Sequence, residues 1–370
     1  MKILFINVVC GIYSTGKICA ELAQEAEAQG HTAKIAYGRD TVPPQYEKYA
    51  VRIGSDLGNK LHALHTRVTD RHCFASTLAT KKFLAWADEY DPDVLWLHNF
   101  HGYFVNIELL FNWIKTRPNM QVKWTLHDCW PFTGHCAHFS FVGCDKWKTG
   151  CHHCPQGSSY PATAVLDSSH WNYKKKKALF TGIPNMTLIT PSKWLADLVK
   201  ESFLAEYPVE VQYNTVNTDV FKPTPGDFRQ RNGLEDKKLL LGVASTWTDK
   251  KGLPDFAQLA GMLDDSYRIV LVGLNTEQAR QMPANVIALP RTKNAQELAE
   301  LYTTADLLVT ASREETFGLT ILEAHHCGTK SVVYQGTACE EVAELYGGVA
   351  VEMGAENLYR AVTQLFEQKK

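Results

Sequence analysis

Two glutamates, Glu315 and Glu323, are separated by seven residues in the stretch SREETFGLTILEAHHCG, residues 312–328. The stretch follows an apolar run typical of a buried strand and leads into a segment with helical periodicity. Gly318 allows the backbone to approach a ligand closely, and the first amides of a helix attract an anion. The two carboxylates could accept hydrogen bonds from sugar hydroxyls, although glutamates at a solvated helix start are also favoured by the helix dipole. The pattern predicts an anion site beside two acids.

A second concentration of reactive side chains is the block HDCWPFTGHCAHFSFVGCDKWKTGCHHC, residues 127–154, which holds half of the ten cysteines. Four of these cysteines, the last two of which form a CxxC motif, could supply four thiolates to one structural Zn²⁺. They are Cys136, Cys144, Cys151 and Cys154. Zinc would fix a long loop that has little core of its own. The alternatives are an iron–sulfur cluster, free thiols or disulfides.

A glycine-rich turn lies near the start of the sequence, in CGIYSTGKI, residues 10–18. Gly11, Gly16 and Lys17 have the spacing of a phosphate loop, but Ile18 occupies the position of the hydroxyl that binds Mg²⁺. The apolar strands also lack the terminal aspartate that such a site needs. Gly16 either opens an anion site at a helix N-terminus or lets helix and strand pack closely. We assign Gly16 to the ligand site and keep an ATPase as the weaker alternative.

Two series of alternating strands and helices are predicted to position these residues. The first begins with the apolar run KILFINVV, residues 2–9, and the second begins near residue 239. Residues 214–226, between them, are rich in Pro, Asn and Gly and are typical of a linker. We expect an α/β protein of two facing Rossmann-like domains, with ligands in the cleft at the carboxyl ends of the strands.

The composition excludes several classes of protein. The 370 residues are 45% hydrophobic and 21% charged, with a net charge of −2 that argues against nucleic-acid binding. The sequence contains no run of about 18 apolar residues, so it predicts no membrane span. The segment MKILFINVV is typical of a first strand rather than of a signal peptide. We therefore expect a cytoplasmic protein.

The segment HWNYKKKKALF, residues 170–180, joins four lysines to aromatic residues. It is either a solvated helix face or a surface attracted to an anionic membrane. The second interpretation would place the protein peripherally at the inner membrane.

Three segments together resemble the retaining glycosyltransferases of family four, which have the GT-B fold. They are E-x-F-G-L-x-x-x-E-A from Glu315, STWTDKKGL at 245–253, and LITPSKWLADLV with the later VNTDVFKP. The resemblance extends over nearly the whole chain. STGKI and HDCWPFTGHC in the first half resemble a bacterial subgroup that builds capsular polysaccharides and exopolysaccharides.

The resemblance implies roles for individual residues. Glu315 would contact the donor sugar, Glu323 the ribose and Lys251 the diphosphate, while His127, at the end of VKWTLH, would lie beside the reacting sugar. His127, Lys251 and Glu315 are the implied catalytic residues. The remaining implied nucleotide-sugar contacts are Gly16, Thr246, Arg291, Thr316, Phe317, Gly318 and Leu319. The family usually has an arginine at the position of Thr246, so Lys250 or helix N-termini would have to compensate here.

The implied reaction moves a sugar from a UDP- or GDP-sugar to a glycan or lipid-linked acceptor, with retention of configuration and no catalytic metal. The Asp91-Pro92-Asp93 triplet resembles a metal motif, but it precedes a strand and is better interpreted as a turn. The implied domains are residues 1–212 for the acceptor, with a Cys-rich insertion at 128–165, and residues 213–353 for the donor. Residues 354–370 would form a helix that crosses back to the first domain. A nucleotide-sugar-binding protein without turnover is the alternative.

Overall fold

The computed structural model describes residues 1–368, which divide by their contacts into two compact units. The first unit comprises residues 1–191 and 195–212, and the second comprises residues 192–194 and the chain from residue 213 onward. Across residues 1–368, no helix has both the length and the apolar character needed to cross a bilayer.

The first unit is built on seven parallel strands in the order β3-β2-β1-β4-β5-β6-β7. The strands are β1 Lys2–Asn7, β2 Thr32–Tyr37, β3 Ala50–Arg52, β4 Val94–Leu97, β5 Gln121–Thr125, β6 Met186–Thr190 and β7 Val209–Val211. The central strand β1 pairs with β2 and β4, so that Phe5 lies opposite Ile35 on one side and Trp96 on the other. Phe5 is fully buried, because a central strand of a parallel sheet is covered on both faces.

The helices of the first series are α1 Tyr13–Ala28, α2 Asp56–Thr69, α3 Thr77–Tyr90, α4 Ile107–Lys115, α5 Ser169–Phe180 and α6 Lys193–Lys200. Helical periodicity in the sequence predicts helices at 16–29, 104–116, 171–182 and 192–202, which correspond to α1, α4, α5 and α6. It does not predict α2 and α3. Helix α3 buries Phe83, Leu84 and Ala87, which is a signal that the sequence contains. Helix α2 instead buries His62 and Thr66, so it lacks the inward apolar pattern by which helices are recognised. The Asp91-Pro92-Asp93 triplet forms the turn between α3 and β4, as predicted.

The Cys-rich segment between β5 and α5 contains three short 3-10 turns: Trp130–Phe132, Ser140–Val142 and Lys146–Lys148. Its aromatic side chains form a small local core. Trp147 stacks on Phe139 with ring centroids 4.7 Å apart and contacts Phe132 at 5.3 Å. The loop is therefore held in part by aromatic packing.

The second unit is a six-stranded parallel sheet in the order β10-β9-β8-β11-β12-β13. Its strands are β8 Lys238–Val243, β9 Tyr267–Val272, β10 Val286–Leu289, β11 Leu307–Thr310, β12 Lys330–Tyr334 and β13 Val349–Val351. Its helices are α7 Phe228–Asn232, α8 Leu253–Met262, α9 Thr276–Gln281, α10 Ala295–Thr304, α11 Leu319–His326, α12 Ala338–Leu345 and α13 Ala355–Glu367. Strands β8 and β11 are neighbours at the centre, and this adjacency positions the candidate site.

The last helix, α13, packs within the second unit, where its described residues contact α8, β12 and β13. The expected crossing of residues 354–370 back to the first domain stays a prediction. Leu358 and Val362 are fully buried there, and Phe366 contacts Tyr267 with ring centroids 5.4 Å apart. The inward side of α13 is apolar, and it is buried on the same side of the second sheet as α8.

Candidate functional site

The loops that follow β8 and β11 bring two of the predicted segments together. Because the two strands are parallel neighbours, both loops leave the sheet at the same edge. The backbone amide of Arg313 donates a hydrogen bond to the Lys250 carbonyl at 2.9 Å. Gly252 approaches the end of β11 so closely that a Cβ at this position would lie 2.3 Å from the carbonyl oxygen of Ala311. The two loops are thus one packed unit.

Ion pairs join the same two loops. Lys251 pairs with Glu315, and the Lys250 Nζ lies 2.8 Å from the Glu314 Oε2. Burial by itself lowers the pKa of Lys251, but the charge and hydrogen bond of Glu315 outweigh it and hold this pKa above its ordinary value. Lys251 is therefore a cation at neutral pH, partly exposed and held in place by a carboxylate.

Arg313 and Asp255 form a further pair at this edge, which the sequence analysis missed. The Arg313 Nη2 lies 3.1 and 2.9 Å from the two oxygens of Asp255, which is buried in the first turn of α8. A separation of 58 residues leaves no spacing signal in the sequence. The adjacency of β8 and β11 is what brings the two together.

The start of α11 is shaped by Gly318. This glycine has φ +93° and precedes the first helical residue, so no side chain caps the helix there. A Cβ on Gly318 would lie 2.9 Å from the Ile321 side chain and 3.1 Å from the Cys339 sulfur. Phe317 is buried in the core cluster and anchors the turn from below. The helix start therefore presents backbone amides, as an anion site requires.

Glu323 is held by a residue that the sequence analysis did not single out. The Tyr302 hydroxyl on α10 donates a 2.7 Å hydrogen bond to the Glu323 Oε2. Burial and this carboxylate raise the pKa of Tyr302 well above its usual range, so Tyr302 remains a donor. Glu323 itself is half-buried, and its carboxylate orientation is set from the core side.

Thr246 and Arg291 lie on neighbouring loops of this edge. Thr246 is exposed directly after β8. The Arg291 guanidinium, from the loop after β10, donates to the Ser245 carbonyl at 2.9 and 2.6 Å. Arg291 thus supports the backbone beside Thr246, and its role in binding the nucleotide sugar stays a prediction. Thr316 is buried in the loop after β11, and Leu319 begins α11.

On the first unit, His127 lies at the end of β5 and is paired with a second histidine. The His98 Nδ1 and the His127 Nε2 are 3.0 Å apart, and the two rings are stacked with centroids at 5.2 Å. Burial lowers the pKa of His127 to about 4, with Asp128 opposing and His101 adding to the shift. At neutral pH this imidazole is uncharged. It therefore has one N–H donor and one acceptor nitrogen, and it does not carry the second proton of an imidazolium.

Asp128 and His101 form a buried pair next to His127. The His101 Nε2 lies 2.9 Å from the Asp128 Oδ2, and the Trp130 amide donates to the Asp128 Oδ1 at 2.9 Å. Burial raises the pKa of Asp128, but His101 and the backbone donor outweigh it and lower the pKa to about 2. The HDC stretch contained this aspartate, but its partner lies 27 residues earlier, in the loop after β4.

The four predicted metal ligands line one cavity of about 20 Å³, which has room for a single small atom. Cys136 and Cys154 are hydrogen-bonded to each other, and the Gly134 amide donates to the Cys151 sulfur at 3.1 Å. Cys144 lies at the same cavity and is partly exposed. Within the described part of the chain, however, no group of three or more His, Cys, Asp or Glu side chains is arranged to hold a metal ion as it stands.

Comparison with known proteins finds a family likeness in the second unit. Residues 226–370 match the family described as "Glycosyl transferases group 1". The second unit is therefore similar to a group 1 glycosyltransferase domain. The matched region contains Lys251, Glu315, Glu323 and the α11 start, so the packed edge lies within the part of the chain that resembles this family.

Relatives extend the likeness beyond that domain. The chain is 24% identical over 383 residues to an Escherichia coli (strain K12) protein named as a colanic acid biosynthesis glycosyl transferase, WcaC, covering 95% of this chain and 87% of that protein. Sucrose-phosphate synthase from Thermosynechococcus elongatus superposes with a TM-score of 0.70 at 16% identity, covering 99% of this chain and 90% of that one. Anabaena HepE, solved with UDP and glucose, gives 0.66 at 16% identity, covering 100% and 90%. These likenesses confirm the predicted GT-B fold class of two Rossmann-like domains.

Gly16 has a packing function in the structure. It lies inside the first turn of α1, where a Cβ would come within 2.9 Å of the Val9 side chain. The Gly11 amide donates to the Gly16 carbonyl at 3.0 Å and closes the turn. The close-packing interpretation therefore has direct support, whereas ligand binding by Gly16 stays a prediction.

The basic stretch is less basic at the surface than its sequence indicates. Lys176 is buried, donates to the Trp130 carbonyl and lies 3.8 Å from the centroid of the Trp130 ring. Burial lowers the pKa of Lys176 to about 7. Lys175 pairs with Glu108 at 3.1 Å. The four lysines of α5 thus do not form one solvated basic face.

Proposed function

We propose that this protein transfers a sugar from a nucleoside-diphosphate sugar to a glycan or lipid-linked acceptor. The observation that carries the proposal is the edge of the glycosyltransferase domain, where Lys251, paired with Glu315, adjoins the glycine-started helix α11. A cation and free helix amides are the groups that stabilise a diphosphate leaving group. The acids Glu315 and Glu323 are suited to the hydroxyls of the sugar and the ribose.

The Lys251–Glu315 pair suggests how the two side chains would act in the reaction. Breaking a sugar–phosphate bond leaves negative charge on the departing nucleotide, and a preformed cation stabilises this charge without reorganising. A bound diphosphate would draw Lys251 toward itself and leave the Glu315 carboxylate available to sugar hydroxyls. The first unit would hold the acceptor, with His127 as the residue assigned to the reacting sugar.

The finer features of the reaction are proposed from the resemblance and from the relatives. Retention of configuration follows from the similarity to family four. A UDP-sugar donor is favoured over a GDP-sugar because HepE was solved with UDP and glucose. A part in polysaccharide biosynthesis is supported by the WcaC relative, which is named for colanic acid biosynthesis. Assembly of a capsular or extracellular polysaccharide, at the cytoplasmic side of the membrane, is proposed from the resemblance alone.

The experiment is a release assay for UDP with UDP-sugars and an undecaprenyl-diphosphate-linked acceptor, which also scores transfer directly. Lys251→Ala should lower kcat by about 100-fold or more, in the range of losing one charge stabiliser of the leaving group. Lys330→Ala, at the exposed start of β12, is the matched control and should leave kcat unchanged. Donor binding without transfer or hydrolysis, for every sugar tried, would favour the non-catalytic binding protein. Mg-ATP hydrolysis lost in Lys17→Ala would favour the ATPase.

We also propose that the Cys-rich segment binds one structural zinc ion through Cys136, Cys144, Cys151 and Cys154. The donor chemistry fits, because the four cysteines line one small cavity of about 20 Å³ and thiolates are ordinary ligands of structural zinc. Zinc binding would require the thiols to move inward and release their protons. The metal would hold together a segment whose regular structure is limited to short 3-10 turns.

Elemental analysis of protein purified without chelator tests the zinc site. We expect about one zinc per chain, and a loss of most of it in the double variant Cys151→Ser/Cys154→Ser. Cys327→Ser, a buried cysteine of the second unit, is the control that should keep the metal. Iron with a visible absorption band would indicate a cluster, and a metal-free, fully folded protein would contradict both.

A further inference from the structure

Helix α2 presents an apolar stripe to solvent. The stripe consists of Leu57, Leu61, Leu64 and Val68, which are 68%, 59%, 59% and 43% exposed. Their spacing of four, three and four residues aligns them along one side of the helix. A single exposed leucine needs no explanation, but four in a row on one helix form a contiguous surface that water does not favour.

The buried residues of α2 and its hydrogen bonds to the rest of the unit lie on the side of the helix opposite the stripe. There the His62 Nδ1 lies 2.8 Å from the Ser76 hydroxyl, and the Asn59 amide donates to the Gly38 carbonyl at 2.6 Å. Thr66 is also fully buried. The polarity of this amphipathic helix is thus inverted relative to that of an ordinary surface helix. An inverted helix is explained by something outside the fold that covers its apolar side.

A second exposed segment adjoins the C-terminal end of the stripe. The Ala164 amide and the Thr163 hydroxyl donate to the Arg67 carbonyl at 2.8 and 3.3 Å. The next two residues, Val165 and Leu166, are both exposed. The apolar surface therefore continues from α2 onto the loop that precedes α5.

The charges around the stripe are mainly basic. Lys60 and Arg67 lie on one flank of it on the helical wheel, and both are exposed. Arg71, just beyond the helix, is also exposed. The one acid of α2, Asp56, pairs with Arg52. Such a rim complements an anionic surface, whereas a second copy of the protein would bring the same basic rim to the contact.

We propose that the α2 stripe is the surface by which the protein docks on an anionic lipid bilayer. A 14-residue helix is about 21 Å long, so it would lie in the plane of the interface with its leucines among the acyl chains and its cations at the headgroups. The proposal does not depend on sugar transfer, since it concerns a helix of the first unit remote in sequence from the glycosyltransferase domain.

Co-sedimentation of the full chain with vesicles tests the docking surface. We expect binding to phosphatidylglycerol-containing vesicles and much weaker binding to pure phosphatidylcholine, with loss at high salt. Leu57→Gln/Leu61→Gln and Lys60→Glu/Arg67→Glu should each weaken binding about tenfold or more. The variant Lys174→Glu/Lys177→Glu, on α5, tests the alternative basic surface and should keep most of the binding.

Two controls separate this proposal from others. Circular dichroism and UDP binding should be unchanged in the α2 variants, so that a failure of the donor site is seen independently. No binding of the wild type to anionic vesicles, or equal binding by the stripe variants, would overturn the proposal. A concentration-dependent dimer in light scattering that only the stripe variants abolish would instead assign the stripe to a second copy.

Discussion

At the scale of single residues, the acids and the lysine of the proposed donor site could be singled out from sequence, but their supporting partners could not. Glu315, Glu323 and Lys251 stand in local motifs. Tyr302, which orients Glu323, lies 21 residues earlier on another helix and has no local signal. Partners of this kind become visible only when the sheet order is known.

The Tyr302 hydroxyl gives a prediction at this scale. Tyr302→Phe removes one donor from the Glu323 carboxylate without changing the shape of the core. We expect a loss of about 1–2 kcal/mol in the free energy of unfolding, as for hydrogen bonds to charged groups. The dissociation constant for UDP should rise about fivefold, because Glu323 loses its orientation. Calorimetry and denaturant unfolding measure the two effects, and unchanged UDP affinity would show that Tyr302 is merely structural.

Buried histidines give a second prediction. Burial lowers the pKa of His62 to about 3 and that of His127 to about 4, and it also lowers those of His72 and His98. Between pH 6.5 and about 4 the unfolded chain therefore binds more protons than the folded one, so stability falls as the pH falls. Denaturant unfolding at pH 7.5, 6 and 5 should show a loss of about 3 kcal/mol or more over this range. A flat profile would mean that these rings are solvated.

At the scale of secondary structure elements, apolar runs predicted the strands that are covered on both faces, because such strands are apolar throughout. The short edge strands β3 and β7 are only partly buried or exposed and were not predicted. The helices that were predicted have an apolar inward side, although α3 was missed despite burying Phe83, Leu84 and Ala87. Helix α2 escaped because its inward side is polar and its leucines face outward. The failure at α2 thus coincides with the surface for which we propose a binding partner.

Gly252 connects two elements and yields a third prediction. Its φ is +75°, and a Cβ would lie 2.3 Å from the Ala311 carbonyl oxygen. Gly252→Ala should therefore cost about 2 kcal/mol or more of stability and push the two donor-site loops apart. Gly261→Ala in α8 is the matched control, because a Cβ there meets nothing within 4 Å. The control should be neutral or slightly stabilising. Thermal unfolding of both variants gives the comparison, and equal melting temperatures would contradict it.

At the scale of the whole molecule, the two alternating series predicted two parallel α/β units, and the sheet orders confirm this. The amphipathic pattern of the last helix predicted that it is buried, but such a pattern does not show against which sheet; in the structure α13 contacts β12 and β13. The Cys-rich insertion was predicted from its spacing, and its cysteines do line one cavity. Whether that cavity holds metal depends on proton release and loop movement, which a sequence pattern does not encode.

The central claim is that a nucleoside diphosphate binds at the edge of the second unit that carries Lys251, Glu315 and Glu323. Isothermal titration calorimetry with UDP, and with GDP in parallel, tests it most directly on the wild type, Glu323→Gln and the exposed control Glu344→Gln. We predict saturable binding of one nucleotide by the wild type and by Glu344→Gln, and a dissociation constant about tenfold higher for Glu323→Gln. Binding of equal strength in all three proteins, or of neither nucleotide to a folded wild type, would contradict the account.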